Sequence, residues 1–221
     1  MLGAEERELA MRHAPILLFD EREPFFPVRL GITLFKQDAA SPSFMRRPRL
    51  QCPPGGLVIE YAIYYDYDIQ HLYDLEHLWV YLGSSGEVLD AEASFHGRYL
   101  KSLLPDLSNL MDGRAVLYVQ PGKHALSPLP EVFPLLPEFA SCTLEKAGVA
   151  GLDFGDFLQG ELETNEAINR RVEYHLRAFG FRPAGTYREW RYADRQELFV
   201  SWQELLVEIP LRVRRELVYM E

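Results

Sequence analysis

The chain has 221 residues, 48% of them apolar and 25% charged, with 15 glycines and 15 prolines. That balance excludes a fibre, a low-complexity tail or a disordered chain. With 23 basic against 33 acidic residues the formal charge is -10, and basic residues gather in no run denser than the short one at Arg46, Arg47 and Arg49, so no nucleic-acid partner is expected and long-range steering favours cations.

A chain of this length buries roughly 70% of its unfolded surface. One domain over residues 1–221 is therefore expected, with a β-sandwich core over 14–145 and a helical extension over 160–221 packed on it. At the N-terminus Glu5, Glu6 and Glu8 stand where an export signal carries basic residues, and the apolar run 14–19 is too short for a signal core or a membrane span. The expectation is a cytoplasmic protein with no transmembrane segment. Cys52 and Cys142, with no CxxC pairing, read as two unpaired structural thiols in a reducing compartment.

Residues 4–12 form a short amphipathic helix, followed by a strand from Ile16 to Phe19 and another from Val28 to Phe35. The proline- and serine-rich stretch 37–54 predicts a long loop crossing between two sheet regions. Residues 57–67 alternate Leu57, Ile59, Tyr61, Ile63, Tyr65 and Tyr67 against a second face, which predicts a strand. Further strands are expected over 74–82, 87–96 and 114–119, joined by turns. Without helical crossovers between them an antiparallel arrangement is favoured. The fold class is thus mainly β, an antiparallel, jelly-roll-like β-sandwich with a short N-terminal helix and a helical C-terminal extension. Tyr61, Tyr64, Tyr65, Tyr67, Tyr73 and Tyr81 supply aromatic bulk for its core, or a surface on which a sugar can stack.

Four prolines make 125–137 irregular, draped over the core. Ile168, Val172, Leu176 and Phe179 form one apolar stripe of a helix that Gly180 stops. Ser201 and Glu204 form a capping box opening a helix that Pro210 restarts as its first residue.

Chemistry concentrates at His71, Asp74, Glu76 and His77. In a strand Asp74 and Glu76 share a face and His77 points to the other, against the core. Two adjacent carboxylates repel unless a cation or proton lies between them. A hairpin through residues 69–73 brings Asp66 or Asp68 back beside Asp74. Oxygen ligands from these acids and a nitrogen from His71 suit a hard or borderline divalent ion. The alternative is a solvated hairpin with His71 as a turn residue. His96 shares a face with Ser94 and Glu92, and His124 closes the turn after Gln120; each reads as a pocket-lining group or as a hydrogen-bonded structural histidine. No GxSxG, GxGxxG or P-loop pattern occurs, which sets aside the corresponding hydrolase and nucleotide folds.

The order of three motifs, His71-Leu-Tyr-Asp74-Leu-Glu76-His77, then His96-Gly97, then Gly122-Lys123-His124-Ala125, resembles the necrosis- and ethylene-inducing-peptide-like proteins and the related vacuolar-sorting-like families. The likeness spans about residues 57–125. It departs from the family heptapeptide at Gln70, Tyr73 and Leu75, where the family carries glycine, histidine and tryptophan. The resemblance implies a β-sandwich holding a divalent ion, with His71, Asp74 and Glu76 matching metal ligands and Asp66 or Asp68 an upstream aspartate. By resemblance the ion is Mg or Ca, and Zn or Mn if a second histidine joins. The expected protein binds a divalent metal in a His/Asp/Glu pocket that His96 and His124 also line. Three readings follow: a metal-dependent hydrolase of an ester or phosphodiester in which His96 or His124 shuttles a proton, a module that binds a small molecule, sugar or lipid headgroup through the ion, or a structural protein with no metal.

Overall fold

The computed structural model describes residues 1–50 and 55–220. In chain order they form α1 (Ala4–His13), β1 (Ile16–Asp20), β2 (Arg29–Phe35), β3 (Leu57–Tyr67), β4 (His71–Leu82), β5 (Val88–Phe95), β6 (Arg98–Lys101), β7 (Leu110–Met111), β8 (Arg114–Val119), β9 (Leu126–Ser127), α2 (Phe139–Cys142), β10 (Gly151–Leu152), α3 (Glu166–Arg177), β11 (Tyr187–Glu189), β12 (Phe199–Ser201) and α4 (Trp202–Tyr219). Short 3-10 turns cover Pro130–Leu135, Asp156–Leu158 and Gln196–Leu198.

The strands divide into two open sheets. One runs β11-β1-β8-β7 with β9 also on β8, and the other runs β12-β2-β3-β4-β5-β6 with β10 added to β4. A mainly β sandwich is the observed class, but the sheets are mixed rather than antiparallel. β1 pairs β8, β12 pairs β2 and β10 pairs β4, all in parallel. Each parallel partner comes from a distant part of the chain, so the connection is made by whole blocks of strands instead of a local helical crossover, and no turn signal announces it.

The alternation in β3 places Ile59, Tyr61, Ile63 and Tyr65 against the first sheet, where they join Leu17, Phe19 and Leu117 in the main core. The other face is covered as well, which is why β3 and β4 are buried on both sides. Over one end lie α3 and α4, whose Val172, Leu176, Leu205 and Ile209 pack on Ala62, Tyr64 and Leu72. Over the other end folds the segment after β2, with Phe44 and Leu50 against Trp79 and Tyr81. That segment joins two neighbouring antiparallel strands of one sheet. It therefore does not cross between sheets as expected, but doubles back over the outer face.

The C-terminal part is more than a helical extension, because β11 enters the first sheet and β12 the second. Asn165 caps α3 by accepting from Ile168 N at 3.0 Å, and the predicted capping box at Ser201 and Glu204 opens α4. Pro210 does not start a new helix. It lies inside one continuous helix of 18 residues, buried on the second sheet, where packing of the surrounding apolar stripe outweighs one lost backbone hydrogen bond. Gly31 permits that packing, since a Cβ there would lie 2.7 Å from Leu205. Among the described residues no helix is long and apolar enough to cross a membrane. Cys142 is a buried free thiol, its pKa pushed up to about 11 by burial; Cys52 lies outside the described residues.

Candidate functional site

The β3–β4 hairpin closes on Asp68. Its Oδ1 accepts from the amides of Gln70 and of His71, the latter at 3.1 Å, and its own amide donates to His71 O at 3.0 Å. Tyr65 is registered with Asp74 as the predicted hairpin requires, but β4 begins at His71, so the imidazole stands on a strand and not in a loop. β10 pairs β4 at His71 and Leu72, and β5 pairs it only from Leu78 onward. Residues 73–77 are left with neither neighbour on that side. A cleft of about 430 Å³ opens there, lined by His71, Asp74, Glu76 and Ser94 and walled by Tyr73, Phe154 and Phe157.

At one end of the cleft Asp68, His71 and Asp74 each offer one ligand atom, all within 4.8 Å of one another. His71 Nδ1 lies 2.5 Å from the Tyr73 carbonyl, and a carbonyl only accepts, so Nδ1 carries the proton. The other nitrogen, Nε2, is thereby turned to Asp68 Oδ2 at 3.2 Å. Tyr73 adopts a positive φ of 82°, which interrupts the strand geometry beside the cleft. Burial opposes charge on His71, but Asp68 outweighs it and raises the imidazole pKa. Asp68 is 1% exposed; burial raises a carboxyl, yet His71 and the ammonium of Lys123, bonded to Oδ2, hold it well below the usual carboxylate range.

Asp74 and Glu76 share a face as expected. Asp74 Oδ2 accepts from His124 Nδ1 at 2.8 Å. Glu76 accepts from Ser94 Oγ and is pushed up to about 8, first by burial and then by the charge of Asp74. Glu76 lines the cleft but stands outside the group of three. His77 points the other way, stacked 5.5 Å from Trp79 and held neutral by burial, its pKa lowered to about 3.

The remaining candidates are placed elsewhere. Asp66 faces α4, where Arg212 grips both carboxylate oxygens at 2.8 and 2.6 Å; it is one position out of phase with Tyr65, whose ring faces His124, so strand alternation takes it to the opposite face. His124 does not line the cleft. It is wholly buried, flat on the Tyr65 ring at 3.9 Å, with Nε2 3.5 Å from Glu23. Burial would lower its pKa, but the two carboxylates beside it push it up to about 10, so it is a fixed cation and not a proton shuttle at neutral pH. His96 bonds Gln120 at 2.7 Å in a separate cleft of about 470 Å³ that it shares with Lys123 and Cys142. It follows the last residue of β5 with φ 49°, a left-handed turn that carries it away from the acids.

Three contributors escaped the sequence reading. Lys123 adjoins a motif histidine, and its side chain was the available signal. Ser94 was noted only as a strand residue. Glu23 gave no signal at all: it reaches the site from the loop after β1, where its Oε2 accepts from Gly122 N at 2.6 Å. Gly122 in turn accepts from Ile69 N at 2.8 Å, and this docks the turn carrying Lys123 and His124 onto the hairpin.

No protein-family model matches this chain, and no curated protein is significantly similar in sequence. Solved structures with a local likeness include Necrosis and Ethylene inducing Protein 2 from the causal agent of cocoa's Witches Broom disease (21% identity, 54% of this chain and 66% of that one, TM-score 0.37). A second is described as a toxin fold as basis for microbial attack and plant defense (20% identity, 57% and 70%, TM-score 0.39). A third is NLPPya in complex with glucosamine (21% identity, 54% and 64%, TM-score 0.36). The chain spans about two thirds of the length of these structures, and nothing about the cleft follows from a likeness at that level.

Proposed function

We propose that the open edge of β4 is a divalent-cation site, with Asp68, His71 and Asp74 as ligands, through which the protein binds a small oxygen-rich molecule such as a sugar or a lipid headgroup. The observation that carries this reading is the convergence of the three ligand atoms within 4.8 Å. The residues fit an ion. Two carboxylates and an imidazole are a donor set for hard or borderline divalent metals, and the Tyr73 carbonyl fixes the His71 tautomer as outer partners of metal-bound histidines do. Glu76, forced to keep a proton beside Asp74, is the acid a nearby cation would relieve.

A bound divalent ion would supply a Lewis-acidic centre for oxygen atoms. The chain's own part is to hold it between β10 and β5, to exclude bulk water with Tyr73, Phe154 and Phe157, and to anchor Asp74 through His124. Binding is favoured over hydrolysis because neither histidine offered as a base faces the cleft: His124 is a buried cation and His96 lies in another cavity. The free, buried thiol of Cys142 supports work in a reducing compartment such as the cytoplasm.

A second reading rests on Lys123. Its ammonium already neutralises Asp68, so the cluster can be a self-contained ion-pair network with no metal. Calorimetric titration with Mn²⁺ and with Ca²⁺ decides between them. Saturable binding that raises the melting temperature and vanishes in Asp74→Asn and in His71→Ala is expected; no binding of either ion leaves the network reading. A panel of chromogenic esters and phosphodiesters is expected to show no turnover in the ion-loaded protein.

A further inference from the structure

The segment Arg46–Arg49 lies over the outer face of the second sheet and borders a second cleft of about 520 Å³, whose lining shares no residue with the acidic cleft. We propose that this cleft binds a phosphate group.

Arg46 forms its inner wall. The side chain is 7% exposed and its guanidinium lies between two rings, 4.2 Å from Trp79 and 3.8 Å from Tyr99. Nη2 donates to Glu92 at 2.6 Å and to Tyr81 Oη at 3.2 Å, but Nε and Nη1 are buried with no hydrogen-bond partner among the described residues. A buried donor with no acceptor is costly, more so in a charged group, and two on one guanidinium call for an acceptor that the described residues do not provide.

The charge count points to the same class of ligand. Two acids, Asp90 and Glu92, face the cleft, and both are already engaged: the ammonium of Lys101 bonds Asp90 and lies 3.2 Å from Glu92, which also receives Arg46. Those two cations cancel the two acids. Arg47 and Arg49 line the cleft, are exposed, and have no acidic partner among the described residues. In a chain of formal charge -10, two uncompensated guanidinium groups meet at one concave site.

The backbone that carries them is held in advance: Pro48 between them is buried, Ser41 N donates to Arg46 O at 2.9 Å, and Leu50 N donates to Asp38 at 2.7 Å, so binding has to order the two side chains and not the segment. Guanidinium forks match the oxygens of phosphate in paired hydrogen bonds. A phosphate dianion balances the two excess charges and has oxygens enough for Arg46 as well. A nucleic acid is disfavoured, since it needs a string of phosphate contacts and this patch offers one.

Calorimetric titration of inorganic phosphate into the full chain tests this, at fixed ionic strength and with a chelator present so that no ion at the acidic cleft contributes. Saturable heat is expected, weakened about tenfold or more in the Arg47→Gln/Arg49→Gln double variant. Both positions are exposed, so the melting temperature of that variant should equal the wild type's. Sedimentation with phosphatidylcholine vesicles containing phosphatidic acid separates the sources. Co-sedimentation that the double variant loses identifies a lipid headgroup, whereas phosphate heat without co-sedimentation identifies a soluble phosphate or phosphate ester. Absence of both signals, or a double variant that binds like the wild type, overturns the proposal.

Discussion

Lys123 sets its ammonium against Asp68, a carboxylate that is 1% exposed and also 3.2 Å from His71 Nε2. The lysine comes from the turn after β8 and the aspartate from the β3–β4 hairpin, so the contact joins the two sheets. It also places a protein cation where a metal cation would draw on the same oxygen.

Replacing Lys123 with Met therefore has two opposite effects. Without added metal the protein loses stability, because a buried carboxylate is left with His71 as its one cationic partner among the described residues. With metal the competition is gone, and Mn²⁺ affinity is expected to rise by about tenfold, since two cations no longer share one carboxylate. Parallel denaturation and calorimetric titration check both; a variant that binds Mn²⁺ more weakly than the wild type removes Asp68 from the ligand set.

Asp66 and Asp68, two residues apart, are predicted to separate cleanly. Asp66→Asn breaks the paired bonds to Arg212, both side chains being 12% exposed, and is expected to cost about 2 kcal/mol, below the full value for a buried pair because solvent screens part of it. Its Mn²⁺ binding stays at wild-type level. Asp68→Asn is expected to abolish Mn²⁺ binding. Equal metal affinities in the two variants would falsify the assignment.

His124→Ala is expected to lose about 3 kcal/mol in urea denaturation, the cost of stranding one buried and one half-buried carboxylate without their cation. Asp74 and Glu23 are those carboxylates, and the Tyr65 ring loses its stacking partner. A loss below about 1 kcal/mol would mean that water replaces the imidazole and that the stack contributes little.

Gly122→Ala probes how the turn is docked. Gly122 has φ +72°, and a Cβ there would stand 2.7 Å from Ile69 and 2.9 Å from Thr143. Left-handed backbone and overpacking each cost about 1–2 kcal/mol, so a loss of about 2–4 kcal/mol is expected, accompanied by weaker Mn²⁺ binding because Lys123 and His124 shift together. Wild-type stability in this variant would show that the turn can pull back from the hairpin without consequence.

The sequence by itself determined what depends on near neighbours. The alternation over residues 57–67, the hairpin that returns an upstream aspartate to Asp74, the face shared by Asp74 and Glu76, and the capping box at Ser201 and Glu204 all follow from a period of two or of 3.6 residues and from local hydrogen bonding. His71 and Asp74 stand out for the same reason, since they lie within one hairpin, whereas neither the choice between Asp66 and Asp68 nor the place of Glu76 outside the group of three was legible there.

Only the tertiary structure decided which distant segments meet. Parallel pairing of β1 with β8 and of β12 with β2, the arrival of Glu23 and Lys123 at the hairpin, the burial of His124 and the diversion of Asp66 to Arg212 are contacts between residues up to 169 positions apart. Such contacts are set by how two open sheets and two helices share buried surface, and no window of sequence contains both partners. The same holds for the charge of His124, whose ionisation is fixed by carboxylates from two other segments and not by its own neighbours along the chain.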